Sequence, residues 1–203
     1  MPPPIVPSDS VLGRAAVDAA ACRRCHLWEN ATQTVFGEGP RDATMLFVGE
    51  QPGEQEDVTG RPFVGPAGQV LDRALTEAGI DRNDVYVTNA VKHFKFLPRG
   101  KRRIHQKPDR AEIAACRFWL DIERAELRPR ITVLLGATAA QAVLGRLVTI
   151  GRERGRAIPL DRGTGLVTVH PSYLLRLPDE DSKAREYRAF VTDLRLAVRL
   201  RDG

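Results

Sequence analysis

Four short apolar segments alternate with segments of helical periodicity, and this alternation restricts the fold more than any other feature. The apolar segments are 44–50, 85–89, 131–136 and 166–171, and each ends in a glycine, a polar residue or a proline. Such runs are typical of parallel strands that are buried on both faces, with the intervening helices covering those faces. The sequence therefore predicts an α/β fold in which a four-stranded parallel sheet lies between helices in three layers.

The first helix is predicted to follow a proline-rich start. Residues 1–8 contain four prolines, so we expect a flexible arm there and a single domain over 9–203. Ser8 or Asp9 would cap the helix, which is expected to run to about Ala21. The candidates for its buried face are Val11, Leu12, Ala15 and Val17.

A capping pattern marks the helix that follows the second strand. Asp109 stands three residues before Glu112, as in a capping box, so Cys116 is expected to lie on this helix. Its other inward positions are predicted to be Ile113, Leu120 and Ile122 or Glu123. Helical periodicity also covers 67–79 and 181–200, whereas the glycine- and arginine-rich segment 149–165 is predicted to be irregular or a hairpin.

The segment 92–110, between the second strand and its helix, is strongly cationic. It contains eight Lys or Arg residues, one acidic residue and His105, within a chain of net charge +5. This charge favours a polyanionic partner, although charge alone leaves nucleic acid and an anionic membrane open. No apolar run approaches the ~20 residues that span a bilayer, and the start lacks the features of a signal peptide. We therefore expect a cytoplasmic protein of bacterial type with no membrane partner.

Polar residues collect where the predicted strands end. Glu50 and Gln51 follow the first strand, Asn89 ends the second, and His170 ends the last. Because the carboxyl ends of parallel strands meet at one edge of a sheet, these side chains should lie together. Any one of them alone could be a turn or cap residue, but their conjunction predicts a pocket beside the cationic segment.

The three cysteines of the chain favour a metal or redox site over disulfides. Cys22 and Cys25 form a CxxC pair, and Cys116 is the third. An odd number of cysteines in a reducing compartment does not make a disulfide framework. Three cysteines and a histidine could bind zinc or an iron-sulfur cluster, and their spacing does not decide between the two.

Several motifs resemble those of the uracil-DNA glycosylase superfamily. They are GEQPG at 49–53, GRPFVGPAG at 60–68, TNAVKHFKF at 88–96, KRRIH at 101–105 and VHPSYLLR at 169–176. The resemblance extends from Cys22 to about Leu196 and is close to the iron-sulfur family 4 glycosylases. Three departures resemble the UdgX group instead: Gln51 in the first motif, His93 where family 4 has a cysteine, and the extra residues that carry KRRIH.

The resemblance implies a glycosylase that extrudes uracil from DNA into a pocket, where its hydrogen-bonding edge is recognised. It implies that Asn89 and Gln51 contact the uracil and that Phe63 stacks on it. His170 and backbone groups near Gln51 would stabilise the departing base, and Glu50 the oxocarbenium-like sugar. Without the resemblance, Phe63 would be read as a core aromatic and His170 as a strand-end histidine.

His105 is predicted to be the nucleophile. A neutral imidazole is a competent nucleophile, and the flanking Arg102, Arg103 and Lys107 should disfavour its protonated form. Resemblance to the UdgX group implies that His105 bonds to C1′ of the deoxyribose, so that the protein remains attached to the DNA. The alternative is that His105 is one more surface residue of a DNA-binding loop.

The resemblance also implies a 4Fe-4S cluster with a structural role, for which His26 is the competing histidine ligand. The implied ligands are Cys22, Cys25, His93 and Cys116, and the expected DNA contacts are Lys101, Arg102, Arg103 and Arg176. Uracil-containing DNA, single-stranded DNA included, is the expected partner of a monomer. Two alternatives remain: a conventional turnover glycosylase of family 4, and a non-catalytic iron-sulfur protein that binds DNA.

Overall fold

The computed structural model describes residues 10–203 and contains seven strands within that range. The strands are β1 (Met45–Gly49), β2 (Val85–Asn89), β3 (Phe96–Arg99), β4 (Arg102–His105), β5 (Ile131–Leu135), β6 (Ala157–Pro159) and β7 (Thr164–Thr168). The helices are α1 (Val11–Ala20), α2 (Glu54–Thr59), α3 (Pro66–Glu77), α4 (Arg110–Leu127), α5 (Ala137–Leu144), α6 (Ile150–Glu153), α7 (Pro171–Leu175) and α8 (Glu180–Asp202). None of these helices is both long and apolar enough to cross a membrane.

The central sheet confirms the predicted α/β fold and adds one strand to it. Its order is β2-β1-β5-β7-β6, and the four predicted strands β1, β2, β5 and β7 are parallel to one another. The fifth strand, β6, runs antiparallel to β7 at the sheet edge, within the segment for which a hairpin or irregular structure was the prediction. A three-residue strand is too short to show a periodicity of its own in the sequence.

Hydrophobic clusters lie on both faces of the sheet. Leu46 and Val48 of β1 pack with residues of α1, α4 and α5, whereas Met45 and Phe47 pack with residues of α3 and α8. Each fully buried side chain of this size contributes roughly 1.5–3 kcal/mol to folding. Because successive strand residues point to opposite faces, this double burial fixes the register of the strands and the position of their carboxyl ends.

Helix α1 begins later than predicted, and its buried face is narrower. The proposed caps Ser8 and Asp9, like the predicted flexible arm, lie outside the described residues. The Ser10 side chain accepts the Gly13 N–H at 2.9 Å, and the helix starts at residue 11. Leu12, Ala15 and Ala19 form the buried stripe, so the prediction that Val11 and Val17 face the core is wrong: they are 39% and 65% exposed.

Helix α4 begins as predicted. Asp109 accepts the Glu112 N–H at 3.0 Å and the Glu112 side chain accepts the Asp109 N–H at 2.7 Å, which completes the capping box. The predicted inward residues Ile113, Cys116 and Leu120 are buried. The sequence left open whether Ile122 or Glu123 faces inward, and Glu123 is the fully buried residue of the two.

The cationic segment forms an antiparallel β-hairpin of β3 and β4 rather than an open loop. Arg99 pairs with Arg102 across the turn, and Gly100 adopts a left-handed backbone (φ +59°), as two-residue hairpin turns require. Lys92 lies outside this hairpin and is fully buried, with its Nζ 2.6 Å from Glu123 Oε2. It is therefore not one of the cations available to a phosphate backbone.

Candidate active site

A cavity of about 1290 Å³ opens at the carboxyl ends of β1, β2, β5 and β7. It is much larger than one nucleobase and leaves room for attached sugar and phosphate. Its lining includes every residue that the sequence nominated for catalysis or uracil binding: Glu50, Gln51, Phe63, Asn89, His105 and His170. The parallel sheet positions Glu50, Gln51, Asn89 and His170 because each lies at or just after the end of a strand. Phe63 packs against the end of β1, and His105 reaches the cavity from the β3–β4 hairpin.

Gly49 allows Phe63 and Asn89 to approach the end of β1 closely. A Cβ at this position would lie 2.3 Å from Asn89 Oδ1 and 2.6 Å from Phe63 Cζ, so a larger residue would displace one of them. Phe63 has a left-handed backbone (φ +57°), which is unusual for an aromatic residue, and its ring stacks on His170 with centroids 6.2 Å apart. The result is an aromatic wall beside a buried amide.

The Asn89 side chain is buried but makes no hydrogen bond with any residue that the structure describes. Asn89 lines the cavity, so water or a ligand there can satisfy its amide. An amide presents a donor and an acceptor side by side, so it can pair with the donor and acceptor edge of a flat heterocycle. The Phe63 ring can cover the face of the same heterocycle.

His170 is held in one neutral form. Its Nδ1 accepts the Ser172 N–H at 3.2 Å and lies 2.9 Å from the Ser172 hydroxyl. Burial, followed by the charges of Arg176 and His105, lowers the pKa of this imidazole to about 4. Because Nδ1 is the acceptor, the proton of the neutral ring resides on Nε2, which can donate to a leaving group.

Glu50 and His105 meet across the cavity. His105 Nε2 lies 3.4 Å from Glu50 Oε1, and the Thr138 hydroxyl donates to Glu50 Oε2. Burial is the main cause that lowers the pKa of His105; the Glu50 carboxylate opposes this effect and Arg176 adds to it. The lowered pKa of His105 agrees with the direction predicted from the sequence. The predicted cause, the flanking cations, is wrong, since Arg102, Arg103 and Lys107 are not among the groups that shift this pKa.

Gln51 connects the cavity to the base of the hairpin. Its Nε2 donates to the carbonyls of Lys95 and Gln106, both at 3.1 Å, and its Oε1 accepts the Lys95 N–H at 3.2 Å. Lys95 and Gln106 flank the two ends of the β3–β4 hairpin. The Gln51 side chain is therefore engaged in holding the hairpin, although the sequence nominated it for uracil contact.

Arg103 links the hairpin to α2 through two ion pairs. Its Nη1 lies 2.6 Å from Asp57 Oδ2 and its Nε lies 3.1 Å from Glu54 Oε1. Asp57 is fully buried, and its carboxylate also accepts the Thr32 N–H. The guanidinium lies 5.2 Å from the Phe96 ring centroid, within the range of a cation–π contact.

The four cations nominated for DNA binding thus differ in what they contact. Arg103 has its charge balanced within the protein, whereas Lys101 and Arg102 are exposed at the hairpin turn and make no ion pair with a described residue. Arg176 is exposed, lines the cavity and donates to the Ser172 hydroxyl at 3.1 Å. Lys101, Arg102 and Arg176 remain available to phosphates.

The three cysteines lie on one side of the sheet, where Cys22 and Cys25 pack against the core cluster that contains Cys116. The Lys92 N–H donates to Cys116 Sγ and the Trp119 indole N–H donates to Cys22 Sγ, each at 3.1 Å. Burial raises the pKa of the Cys116 thiol to about 12. Among the described residues, no three His, Cys, Asp or Glu side chains are grouped closely enough to hold a single metal ion.

His93 and His26 have different surroundings. The Thr34 hydroxyl donates to the Ala19 carbonyl at 2.7 Å, so it accepts from His93 Nε2 at 2.9 Å. This arrangement places the proton of the neutral ring on Nε2 and leaves the Nδ1 lone pair free for a metal. His26 Nε2 instead lies 3.3 Å from Glu112 Oε1. The donor set of three thiols and one imidazole nitrogen fits a thiolate-rich cluster, since N–H groups directed at sulfur stabilise thiolates.

Sequence reasoning missed Thr138, Asp57 and Arg103 as supports of the site. Thr138 stands just after the third predicted strand, so the pattern that nominated Glu50 and Asn89 was present there too. Asp57 carried no comparable signal, because its partner Arg103 is 46 residues away in the sequence.

Residues 36–195 match the family model described as the uracil DNA glycosylase superfamily. The chain is 42% identical over 174 residues to a type-4 uracil-DNA glycosylase of Thermotoga maritima, covering 85% of this chain and 84% of the relative. It is 36% identical over 166 residues to a type-4 uracil-DNA glycosylase of Archaeoglobus fulgidus, covering 78% and 80%. A type-4 uracil-DNA glycosylase of Sulfurisphaera tokodaii is 35% identical over 161 residues, covering 77% and 70%.

Proposed function

The chain belongs to the uracil-DNA glycosylase superfamily, and from this premise we propose that it excises uracil from DNA and that His105 then captures the deoxyribose covalently. The contact between His105 Nε2 and Glu50 Oε1 carries the proposal. It brings the proposed nucleophile and the proposed stabiliser of sugar charge to one point of the cavity. Asn89, Phe63 and His170 line the same cavity.

The base would be recognised between Asn89 and Phe63. Extrusion of uracil from the stack costs a few kcal/mol, which contacts in the pocket must repay. The unpaired Asn89 amide offers hydrogen bonds to the uracil edge, and Phe63 offers a stacking face.

Bond breaking would rely on His170 and Glu50. The electron pair of the N-glycosidic bond departs with uracil, and the Nε2–H of neutral His170 donates to the developing anion. The sugar left behind is oxocarbenium-like, and the Glu50 carboxylate stabilises its positive charge. The Thr138 hydroxyl holds the other oxygen of Glu50 and so fixes the carboxylate in place.

Capture would follow from the neutral state of His105. With its proton on Nδ1, the ring has a lone pair on Nε2 that can bond to C1′. The alkylated ring becomes a cation, and Glu50 lies next to it. No further proton transfer is needed, and the protein remains bonded to the DNA.

Conventional turnover is the second candidate, because the Thermotoga maritima relative, which is 42% identical, is named a type-4 uracil-DNA glycosylase. In that case water attacks C1′ and the His105 ring serves only to bind DNA. The two functions share every residue of the pocket and differ only in what reaches C1′ after uracil leaves.

One experiment separates these functions. The full-length protein is incubated with a single-stranded oligonucleotide that contains one uracil, and with the matching thymine oligonucleotide, before a denaturing gel. Covalent capture gives a slow band that survives denaturation and requires uracil. Turnover gives an alkali-labile abasic site without that band. If neither product forms, both functions are ruled out in favour of non-catalytic DNA binding.

We also propose that Cys22, Cys25, Cys116 and His93 hold a 4Fe-4S cluster. The N–H donors directed at two of the sulfurs and the free Nδ1 of His93 support this ligand set. When bound, such a cluster would cross-link the segment after α1, the segment after β2 and α4. Purified protein should contain iron in excess of zinc and absorb broadly in the visible range; a colourless protein with one zinc would contradict the proposal.

A further inference from the structure

The β3–β4 hairpin exposes an apolar pair beside the cavity. Leu97 and Ile104 are cross-strand partners and are 59% and 41% exposed. Because neighbouring residues of a strand point to opposite faces, the pairs Phe96–His105 and Pro98–Arg103 occupy the other face. That other face carries the contacts with the protein, through Arg103 and through His105, whose ring lies 6.1 Å from the Phe94 ring.

The position of the pair indicates what could cover it. Ile104 lines the same cavity as His105, so the apolar surface begins at the cavity mouth and continues outward over Leu97. The nearby Arg99, Lys101 and Arg102 are exposed and make no ion pair with any residue in 10–203. An apolar surface bordered by unpaired cations suits a ligand that has flat apolar faces and a phosphate backbone.

We propose that Leu97 and Ile104 cover the face of the nucleobase next to the extruded uracil. This inference rests on the proposed function. When one base leaves the stack, its neighbour loses a stacking partner and exposes that face to water. Apolar side chains placed against such a face offset part of the free energy lost on unstacking, as inserted side chains do in other DNA-binding proteins. The hairpin would then deliver His105 and cover the flanking base at the same time.

The test measures binding separately from chemistry. The probe is an oligonucleotide with one 2′-fluoro-2′-deoxyuridine, whose fluorine disfavours the oxocarbenium-like state and so preserves the N-glycosidic bond. One probe has adenine on both sides of this nucleotide; two others replace the 5′ or the 3′ neighbour with an abasic tetrahydrofuran. The full-length protein is compared with Leu97→Ser, Leu97→Phe and the control Leu147→Ser, which changes a leucine that is 65% exposed and outside the cavity lining.

Leu97→Ser should bind the adenine-flanked probe about fivefold more weakly, the effect of losing roughly 40 Å² of apolar contact. The loss should vanish with one of the two abasic probes, which identifies the side that Leu97 covers. Leu97→Phe should bind the adenine-flanked probe at least as tightly as the unsubstituted protein, because an aromatic ring stacks well on a base. Leu147→Ser should leave binding to all probes unchanged.

The inference alone would be overturned by no loss in Leu97→Ser, by an equal loss on every probe, or by a similar loss in Leu147→Ser. Weaker binding of Leu97→Phe to the adenine-flanked probe would also overturn it. A different result identifies failure of the proposed function: the unsubstituted protein would not prefer the fluorouridine probe over a thymidine control. In that case the inference fails with the function on which it rests.

Discussion

The end of the sheet and the β3–β4 hairpin contribute to one cavity but are built differently. Glu50, Asn89 and His170 lie at the ends of buried parallel strands, so the core of the protein fixes them. His105 lies on a two-stranded element that is fixed by side-chain contacts, chiefly those of Gln51 and Arg103. The residues proposed for bond breaking are therefore on the scaffold, and the residue proposed for capture is on an attached element.

This difference implies that bond breaking and capture can be separated by mutation. A change at a strand end should affect both steps, because capture needs the oxocarbenium that the first step produces. A change in the hairpin should affect capture more than uracil release. Measuring both products from the same reaction tests this division directly.

The largest effect is expected from His105→Ser. The serine side chain is smaller and a weaker nucleophile, so water can reach C1′ while Asn89, Phe63 and His170 remain in place. The covalent band should disappear and abasic sites should accumulate with repeated turnover, as measured by denaturing gel and by release of free uracil. Binding of uracil-DNA without uracil release would show that His105 takes part in bond breaking, and a persistent adduct would show that the nucleophile is another residue.

Glu50→Gln should reduce both products. Removing the carboxylate charge next to the developing cation should slow uracil release by about 10²-fold, the usual effect of losing one electrostatic stabiliser. Adduct formation should slow equally, since capture follows release. Glu77→Gln makes the same chemical change on α3, where Glu77 accepts a hydrogen bond from Tyr187, and should leave both rates unchanged. Loss of adduct with normal uracil release would contradict the role assigned to Glu50.

The strand ends were also the part that the sequence could predict. Short apolar runs identify the strands, and the polar residues after them identify the cavity, because local patterns determine both. Long-range pairing is what the sequence could not reveal. Lys92 appears as one of eight cations, yet Glu123, 31 residues away, pairs with it in the interior. Gln51 likewise carried no sign that its amide holds the hairpin.

Arg103→Ala tests the attached element itself. The substitution removes the ion pairs with Asp57 and Glu54, and the buried Asp57 keeps only its hydrogen bond from the Thr32 N–H. We expect adduct formation to slow about tenfold, since a small displacement of a reacting group costs one to two powers of ten in rate. Uracil release should change much less.

Arg102→Ala is the matched control for Arg103→Ala. Arg102 is exposed and makes no ion pair with a described residue, so its loss should weaken DNA binding without changing the ratio of adduct to released uracil at saturating DNA. Equal slowing of release and capture in Arg103→Ala would show that the hairpin is an integral part of the bond-breaking site. The division between scaffold and attached element would then be wrong.

The smallest expected effect is a difference in pH dependence between adduct formation, which depends on His105 of the hairpin, and uracil release, which depends on His170 at a strand end. Burial lowers the pKa of His105 from 6.5, Glu50 opposes that shift, and Arg176 reinforces it. A lowered pKa means that the neutral nucleophile persists as the pH falls through 6.5, so adduct formation at saturating DNA should have its acidic midpoint below 6.5.

Arg176→Gln removes the reinforcing charge and should move this midpoint upward, whereas Lys101→Gln should not move it. Uracil release by His105→Ser should continue to lower pH, because burial is the main cause that lowers the pKa of His170 and it remains in this variant. A midpoint at or above 6.5 for the adduct would mean that Glu50 holds His105 in its protonated form, and capture would then require transfer of the Nε2 proton to Glu50 before the bond to C1′ can form.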